Sequence, residues 1–280
     1  MDYSEKGKLG ARKFWEKFYG DETFRNKMLE SWRHPNKDPL KTHRAALLGA
    51  RARWKGHIKK KNGKKKMKVI IIPTDTQKNL LLKSILCGYL SGDGSLSIRR
   101  EKSNPKKIHY DIGFYPDDKN MLSLFLTTFK ELYRKEPKIF LEKNYYKVRI
   151  TSKTACLDLI RFTKFHSLEW RIPTFVNTTE LKREWLRAFF DCEAYVDKNR
   201  ITIQSVNKNG IIDIRQALQE FSIESKIYQY KRRQKNWNTN YLLIIMKINS
   251  RINFLNKVGF NNLKKQIRLK RFVAGVPESG

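Results

Sequence analysis

Hydrophobic and polar positions follow two different spacings after Pro73, and these spacings predict the secondary structure. Residues 77–91 place apolar side chains at helical intervals and predict a helix. Residues 96–114 alternate apolar and polar side chains, as half-buried strands do. The elements predicted next are a helix at 121–133, a hairpin made of 138–142 and 145–150, and a helix at 154–163.

The same order of elements returns in the second half of the chain. The predicted elements are a helix at 180–192, strands at 195–198 and 200–205, a helix at 211–221, strands at 226–232 and 241–249, and a helix at 251–258. Two passes of α-β-β-α-β-β-α indicate an internal duplication. We therefore expect an α+β fold with a pseudosymmetric duplicated core, made of residues 69–175 and 176–280.

The charge of the chain points to a nucleic-acid partner. There are 60 Lys and Arg residues against 27 Asp and Glu, which gives a formal net charge of +33. Residues 1–68 carry Trp15, Trp32 and Trp54 in basic surroundings and end in a lysine-rich stretch. This part is predicted to be a basic N-terminal helical arm that acts as an accessory DNA-binding region.

Several classes of protein are disfavoured by what the sequence lacks. It has no apolar run of about 18 residues, so no membrane span and no membrane partner are expected. Its N-terminus lacks the apolar stretch of a secretory signal, and we expect an intracellular location, in the cytoplasm or an organellar matrix. The three cysteines have no CxxC spacing, so neither a zinc site nor a disulfide framework is expected.

Two nine-residue segments, 100 positions apart, carry the functional prediction. Residues 86–94 read LCGYLSGDG, and residues 186–194 read LRAFFDCEA. In each segment two small residues stand four apart on one helix face: Gly88 and Gly92, then Ala188 and Cys192. Such faces let two helices approach closely, so the sequence predicts that this helix pair joins the halves.

An acid follows each small-residue stripe: Asp93 in the first segment and Glu193 in the second. Both are predicted at a helix C-terminus, where the helix dipole disfavours negative charge, and two neighbouring carboxylates also repel each other. A divalent cation bound between them would relieve both penalties. The alternative is that both acids are solvated turn residues, but their matched positions in a strongly basic chain favour the metal site.

The two segments resemble the paired motifs of the LAGLIDADG homing endonucleases, in the monomeric, two-motif form. The resemblance covers residues 76–272 and includes the order of elements after each motif. It implies a saddle of two four-stranded antiparallel sheets in the DNA major groove. It further implies an intron-encoded, monomeric hydrolase that uses Mg²⁺, or another divalent cation, to cut both strands of a long asymmetric double-stranded DNA site. Asp93 and Glu193 would bind the metal, with the carbonyl groups of Gly92 and Cys192 as further ligands.

The resemblance also implies further catalytic residues. The family places a polar residue on the second strand and a basic residue near the end of each half. In the second half these are Gln204 and Lys265, with Lys264 as a rival. In the first half Arg171 is the basic candidate, and Phe114 stands where a polar residue is expected.

Strand alternation separates a helix-packing face from a DNA-binding face. Leu96, Ile98, Ile108, Tyr110, Val148, Ile150, Ile201 and Ile203 are predicted to pack on helices. The opposite face mixes donors and acceptors, which suits the reading of base edges. The predicted DNA-binding residues are Ser95, Ser97, Arg99, Lys107, His109, Asp111, Lys147, Arg149, Tyr195, Asp197, Arg200, Thr202 and Gln204.

Two alternatives to a DNA endonuclease remain open. One is an RNA-binding intron maturase on the same fold, since the basic charge suits RNA equally well. The other is a cleavage-inactive DNA-binding regulator. The acid pair favours the endonuclease, because binding alone does not require it.

Overall fold

The computed structural model describes residues 16, 17, 19–31, 72–231 and 238–275. The chain divides into two compact units, residues 1–68 and residues 69–280. In the first unit, helix α1 spans Glu22–Ser31. The three tryptophans of the predicted arm and its lysine-rich end lie outside the described residues. Within the described ranges, no helix has the length and apolar character needed to cross a membrane.

The second unit repeats one order of elements. The first half contains α2 (Gln77–Ser91), β1 (Gly94–Arg100), β2 (Ile108–Phe114), α3 (Lys119–Tyr133), β3 (Lys138–Leu141), β4 (Tyr146–Thr151) and α4 (Lys153–Ile160). The second half contains α5 (Thr179–Glu193), β5 (Tyr195–Val196), β6 (Ile201–Ser205), α6 (Lys208–Glu220), β7 (Lys226–Tyr230), β8 (Asn240–Ile245), α7 (Ile248–Lys257) and α8 (Leu263–Val273).

Each half builds one four-stranded antiparallel sheet with the same topology. Sheet one has the order β1-β2-β4-β3, and sheet two has the order β5-β6-β8-β7. The register also corresponds, since Ser95 pairs with Gly113 and Tyr195 pairs with Thr202. The predicted α+β fold with a duplicated core is therefore confirmed.

The two motif helices, α2 and α5, pack against each other along their small residues. A Cβ atom at Gly88 would lie 2.6 Å from the backbone oxygen of Trp185 and 2.8 Å from Cβ of Ala188. A Cβ atom at Gly92 would lie 2.5 Å from Cβ of Cys192. Larger side chains at these glycines would push the helices apart, so the small-residue stripe sets how closely the two helix ends approach.

The structure differs from the sequence prediction in three places. Ile98 and Ile108 were predicted to pack on helices, but both are exposed. In strand β1 burial is confined to Leu96, so the outer end of the β1–β2 hairpin extends beyond the helices. The second strand of the final hairpin ends at Ile245 rather than at residue 249, and helix α8 was not predicted.

Candidate active site

The two predicted metal ligands lie at the C-terminal ends of the paired helices. Asp93 directly follows Gly92, the C-cap residue of α2, and Glu193 is the last residue of α5. Burial is the main cause that raises the pKa of Asp93. Burial, and then the charge of Asp93, raise the pKa of Glu193 to about 7. The structure therefore brings the two acids close enough to repel each other in a partly buried site.

Lys265 occupies the end of α5 beside both acids. Its Nζ donates to the backbone oxygens of Asp191 at 2.6 Å and Cys192 at 3.1 Å. These carbonyls belong to the last turn of α5, where a helix lacks internal donors and favours a cation. The charge of Lys265 partly lowers the pKa of both acids. The rival Lys264 is exposed on the same helix.

Asp191 fixes the position of the helix that carries Lys265. Its Oδ1 accepts from the backbone N–H groups of Asn261 at 2.8 Å and Asn262 at 2.9 Å, and its Oδ2 accepts from the Tyr89 hydroxyl at 3.2 Å. Asn262 in turn caps α8 by accepting from the backbone N–H of Lys265. Burial raises the pKa of Asp191 to about 6.

The sequence prediction did not assign a role to Asp191. A signal was present, because Asp191 lies inside the second motif, where the first motif has Ser91. The first half has no described helix that corresponds to α8, so an anchoring acid at position 91 would have no such helix to hold.

A cavity of about 270 Å³ joins Glu193 to the predicted polar residue Gln204. Gly92, Gly94 and Ser167 also line it. The cavity has room for several water molecules, since one buried water needs roughly 10–15 Å³ of this kind of volume. Gln204 and Glu193 are thus placed to contact the same water or phosphate oxygen.

The register identifies the first-half counterpart of Gln204. Gly113 occupies the position of Thr202, and two residues further along lie Tyr115 and Gln204. Phe114 is fully buried and faces the core, so it was the wrong residue to compare. The hydroxyl of Tyr115 lies 2.8 Å from where a Cβ of Gly113 would stand, on the same side of the sheet. Tyr115 therefore supplies a polar group at the position that the sequence left unassigned.

The structure does not place Arg171 with the acids. Its guanidinium forms a bidentate ion pair with Asp213, with Nε–Oδ2 at 2.5 Å and Nη2–Oδ1 at 2.7 Å. This hydrogen bond raises the pKa of Arg171. Arg171 and Asp213 line a separate cavity. Neither Asp93 nor Glu193 is among the described residues around it. The sequence suggested Arg171 as the basic group of the first half, but its side chain is held in an ion pair with Asp213.

The remaining predicted DNA-binding residues lie on the faces of the two sheets that point away from the helices, which we call the open faces, or at their hairpin tips. Ser95, Ser97 and Arg149 are exposed on sheet one. Several others are paired inside the free protein: Arg99 with Asp111, Lys107 and His109 with Glu101, Lys147 with Glu142, and Arg200 with Asp197. On sheet two Tyr195 and Gln204 are exposed, whereas Thr202 Oγ1 is buried without a hydrogen-bond partner among the described residues.

The donor set suits a hard divalent cation. Asp93 and Glu193 offer carboxylate oxygens, and the adjoining backbone offers the carbonyls of Gly92 and Cys192. The carbonyl oxygen of Cys192 accepts from Lys265, which leaves it one lone pair for a further ligand. No group of three or more His, Cys, Asp or Glu side chains in the described ranges could hold a metal. Backbone, water or phosphate oxygens must therefore complete the coordination of an ion such as Mg²⁺.

Comparison with known proteins identifies one known domain in the second half of the chain. Residues 180–259 match the family model of a LAGLIDADG-like domain. The chain is 27% identical over 194 residues to the replication factor C small subunit of Methanocaldococcus jannaschii. It is 28% identical over 196 residues to glutamine–fructose-6-phosphate aminotransferase of the same organism. Each match covers 66% of this chain but only 10% and 17% of those proteins, so the chain spans a small part of their length.

Solved structures share the fold over about two thirds of the chain. The homing endonuclease I-DmoI in complex with DNA and Mn is 18% identical, with a TM-score of 0.50. The match covers 64% of this chain and 97% of that chain. I-DmoI in complex with DNA and Ca gives 18% identity and a TM-score of 0.51, covering 65% of this chain and 91% of that chain. Residues 180–259 are therefore a LAGLIDADG-like domain, and the chain shares the fold of the single-chain protein I-DmoI.

Proposed function

We propose that this protein is a site-specific DNA endonuclease that makes double-strand breaks by divalent-metal-dependent phosphodiester hydrolysis. The observation that carries the proposal is the acid pair. Asp93 and Glu193 come from separate halves and lie at the ends of two closely packed helices, where burial, and then the charge of Asp93, raise the pKa of Glu193 to about 7. A buried, mutually repelling pair of carboxylates destabilises the metal-free fold. In a metal-dependent hydrolase the same pair binds the cation, which neutralises the repulsion.

Double-stranded DNA is the proposed substrate. The formal net charge of +33 suits a polyanion, and each half presents the open face of a four-stranded antiparallel sheet, a type of element that can read the major groove. I-DmoI, which shares the fold, has been solved in complex with DNA and Mn, with DNA and Ca, and, as a variant, with DNA and Mg. These likenesses support DNA and a divalent cation for this chain.

The residues of the site have separable roles in this proposal. Asp93 and Glu193, with the carbonyl groups of Gly92 and Cys192, would hold the cation, which when bound supplies Lewis acidity and lowers the pKa of a water molecule. Gln204 orients water in the cavity that it shares with Glu193. Lys265 holds the end of α5 in place and keeps positive charge beside the phosphate that is cut.

The experiment compares Asp93→Asn and Glu193→Gln with the unchanged protein on DNA libraries in Mg²⁺. We expect each variant to lose double-strand cleavage and to keep DNA binding, because both substitutions preserve side-chain size and remove only a metal-binding oxygen. Glu220→Gln is the matched control, since Glu220 pairs with Lys182 on the surface.

Three outcomes would contradict the proposal. Full cleavage by either acid variant would remove the two acids from the mechanism. DNA binding without any cleavage by the unchanged protein would identify a cleavage-inactive regulator. Preferential binding of structured RNA would favour a maturase.

A further inference from the structure

The two sheets have matching registers but chemically different open faces. In sheet one, Arg149 pairs with Gly113, and in sheet two Ile244 pairs with Thr202, so Ile244 stands where sheet one has an arginine. By the same register Leu242 stands where sheet one has Lys147. The middle of one face is thus cationic, whereas the matching positions of the other are aliphatic, with Ile244 buried and Leu242 partly exposed.

Aromatic side chains extend the apolar surface of sheet two. Tyr228 is 46% exposed beside Leu242, and Tyr195 is 60% exposed at the opposite edge. Among the described residues of the four strands, Lys226 is the one cation on the open face of sheet two. The open face of sheet one instead carries four, namely Arg99, Lys138, Lys147 and Arg149.

This apolar face is continuous with the candidate active site. Gln204 pairs with Leu242 across the sheet and also lines the cavity that contains Glu193. Asn240, the partner of Tyr230, lines the same cavity. A duplex positioned for cleavage at Glu193 would therefore pass directly over Leu242 and its aromatic neighbours, which makes DNA the occupant that the geometry favours for this surface.

We propose that the open face of sheet two reads A·T base pairs, with Leu242, Tyr195 and Tyr228 packing on thymine methyl groups; this rests on the proposed function. In the major groove the thymine methyl is the apolar feature that an aliphatic or aromatic side chain can contact. Cytosine offers an amino donor at this edge, and an apolar contact would leave that donor desolvated and unpaired. Sheet one, with its arginines, reads guanine instead.

The test selects binding sites from randomised duplex DNA with Glu193→Gln, so that bound DNA is not cut. We expect one half of the recovered site to contain guanines and the other to be rich in A·T pairs. The same selection is repeated with Leu242→Lys, which places the residue type of sheet one on sheet two. That variant should lose about tenfold of its preference for thymine at one or two positions in the A·T-rich half only.

Salt dependence separates this apolar contact from a phosphate contact. Leu242→Ala should weaken binding without changing the slope of log affinity against log salt, whereas Lys147→Ala should reduce that slope by about one. Ile139→Lys is the control for Leu242→Lys. Ile139 is 48% exposed in the edge strand β3, on the side opposite the open face. Thermal melting of each variant verifies that the fold persists, and Leu242→Met serves if the alanine variant melts early.

The outcomes distinguish this inference from the proposed function. If no duplex is enriched at all, the proposed function fails. If a duplex site is enriched but Leu242→Lys changes no base preference, the function stands and the inference is overturned. If single-stranded nucleic acid competes better than duplex and Tyr228→Ala abolishes that competition, the face is a stacking platform, and the inference is likewise overturned.

Discussion

At the scale of single residues, the ionised carboxyl of Glu193 destabilises the folded protein. Its ordinary pKa is 4.5, and in the folded protein burial and the charge of Asp93 raise it to about 7. Between those values the folded state binds more protons than the unfolded chain, so the free energy of unfolding falls as pH rises. The stability is fully present below the ordinary pKa and is lost as pH rises through about 7.

Glu193→Gln should therefore stabilise the metal-free protein at pH 8 and have little effect at pH 4. We expect a gain in the free energy of unfolding on the order of 1–3 kcal/mol at pH 8, because one pKa unit is worth about 1.4 kcal/mol and the carboxyl is partly accessible. Thermal denaturation in a chelator at the two pH values measures it. Glu220→Gln should show no such pH dependence, and equal effects of Glu193→Gln at both pH values would contradict the electrostatic origin.

Lys265 has the opposite effect from burial on the pKa values of Asp93 and Glu193. Because its charge lowers the pKa of Asp93 and Glu193, Lys265→Met should raise both pKa values and move the pH dependence of cleavage upward. The variant also leaves the carbonyls of Asp191 and Cys192 without their donor, which costs about 1 kcal/mol of stability. Cleavage rates from pH 6 to 9 measure the shift. Lys264→Met should leave the profile unchanged, and a shift with that variant alone would assign the role to Lys264.

At the scale of elements, the contact between α2 and α5 decides the geometry of the site, because each helix ends at one of the acids. Gly88 admits no larger residue, since a Cβ there would lie 2.6 Å from a backbone oxygen that cannot move independently of α5. Gly88→Ala should lower the free energy of unfolding by roughly 1–3 kcal/mol and reduce cleavage, because the acids move apart. Chemical denaturation and cleavage rates provide the measurements.

Gly20→Ala is the matched control for this helix contact. Gly20 is also helical, but a Cβ there would meet nothing within 4 Å. The change should be neutral or slightly stabilising, because alanine restricts the unfolded chain more than glycine does. Equal loss of stability in both variants would show that the close approach at Gly88 is not the cause, since helix propensity alone favours alanine over glycine.

The elements that were predictable from sequence are those whose burial pattern is local. Helix α2 was predicted with the bounds it has, and the strands of both sheets were found because apolar and polar residues alternate along them. The motif pair was equally visible, since its small residues and its acids recur at one fixed interval. These features depend on a few neighbouring side chains, which the sequence lists in order.

The features that were missed depend on distant residues. Helix α8 buries only Leu269 and Phe272, so its many basic residues hid its apolar side. Arg171 was predicted at the site because its pairing with Asp213, 42 positions away, leaves no trace in the local sequence. The match between Tyr115 and Gln204 became visible only through the strand register, because the two halves differ in length between their first two strands.

At the scale of the whole molecule, a buried ion pair ties the start of the second unit to its core. Lys83 and Asp158 are both 0% exposed, with Nζ–Oδ1 at 2.9 Å, and Lys83 also binds Asp75 at 2.6 Å. Arg161 contacts both acids, and the Tyr133 hydroxyl donates to Asp158. This network holds the segment before α2 through side chains that all belong to the second unit.

Deletion of residues 1–68 should therefore leave a folded second unit. The truncated chain keeps Asp75, Lys83 and both acids, so we expect a cooperative melting transition and unchanged cleavage positions at high protein concentration. Binding should weaken and the footprint shorten, because a tethered basic arm raises its own effective concentration on neighbouring DNA. Footprinting and binding titrations of the two forms at equal salt measure both effects. A stable truncation with unchanged affinity and footprint would reject the arm as a DNA-binding region, and loss of cooperative melting would instead make it part of the fold.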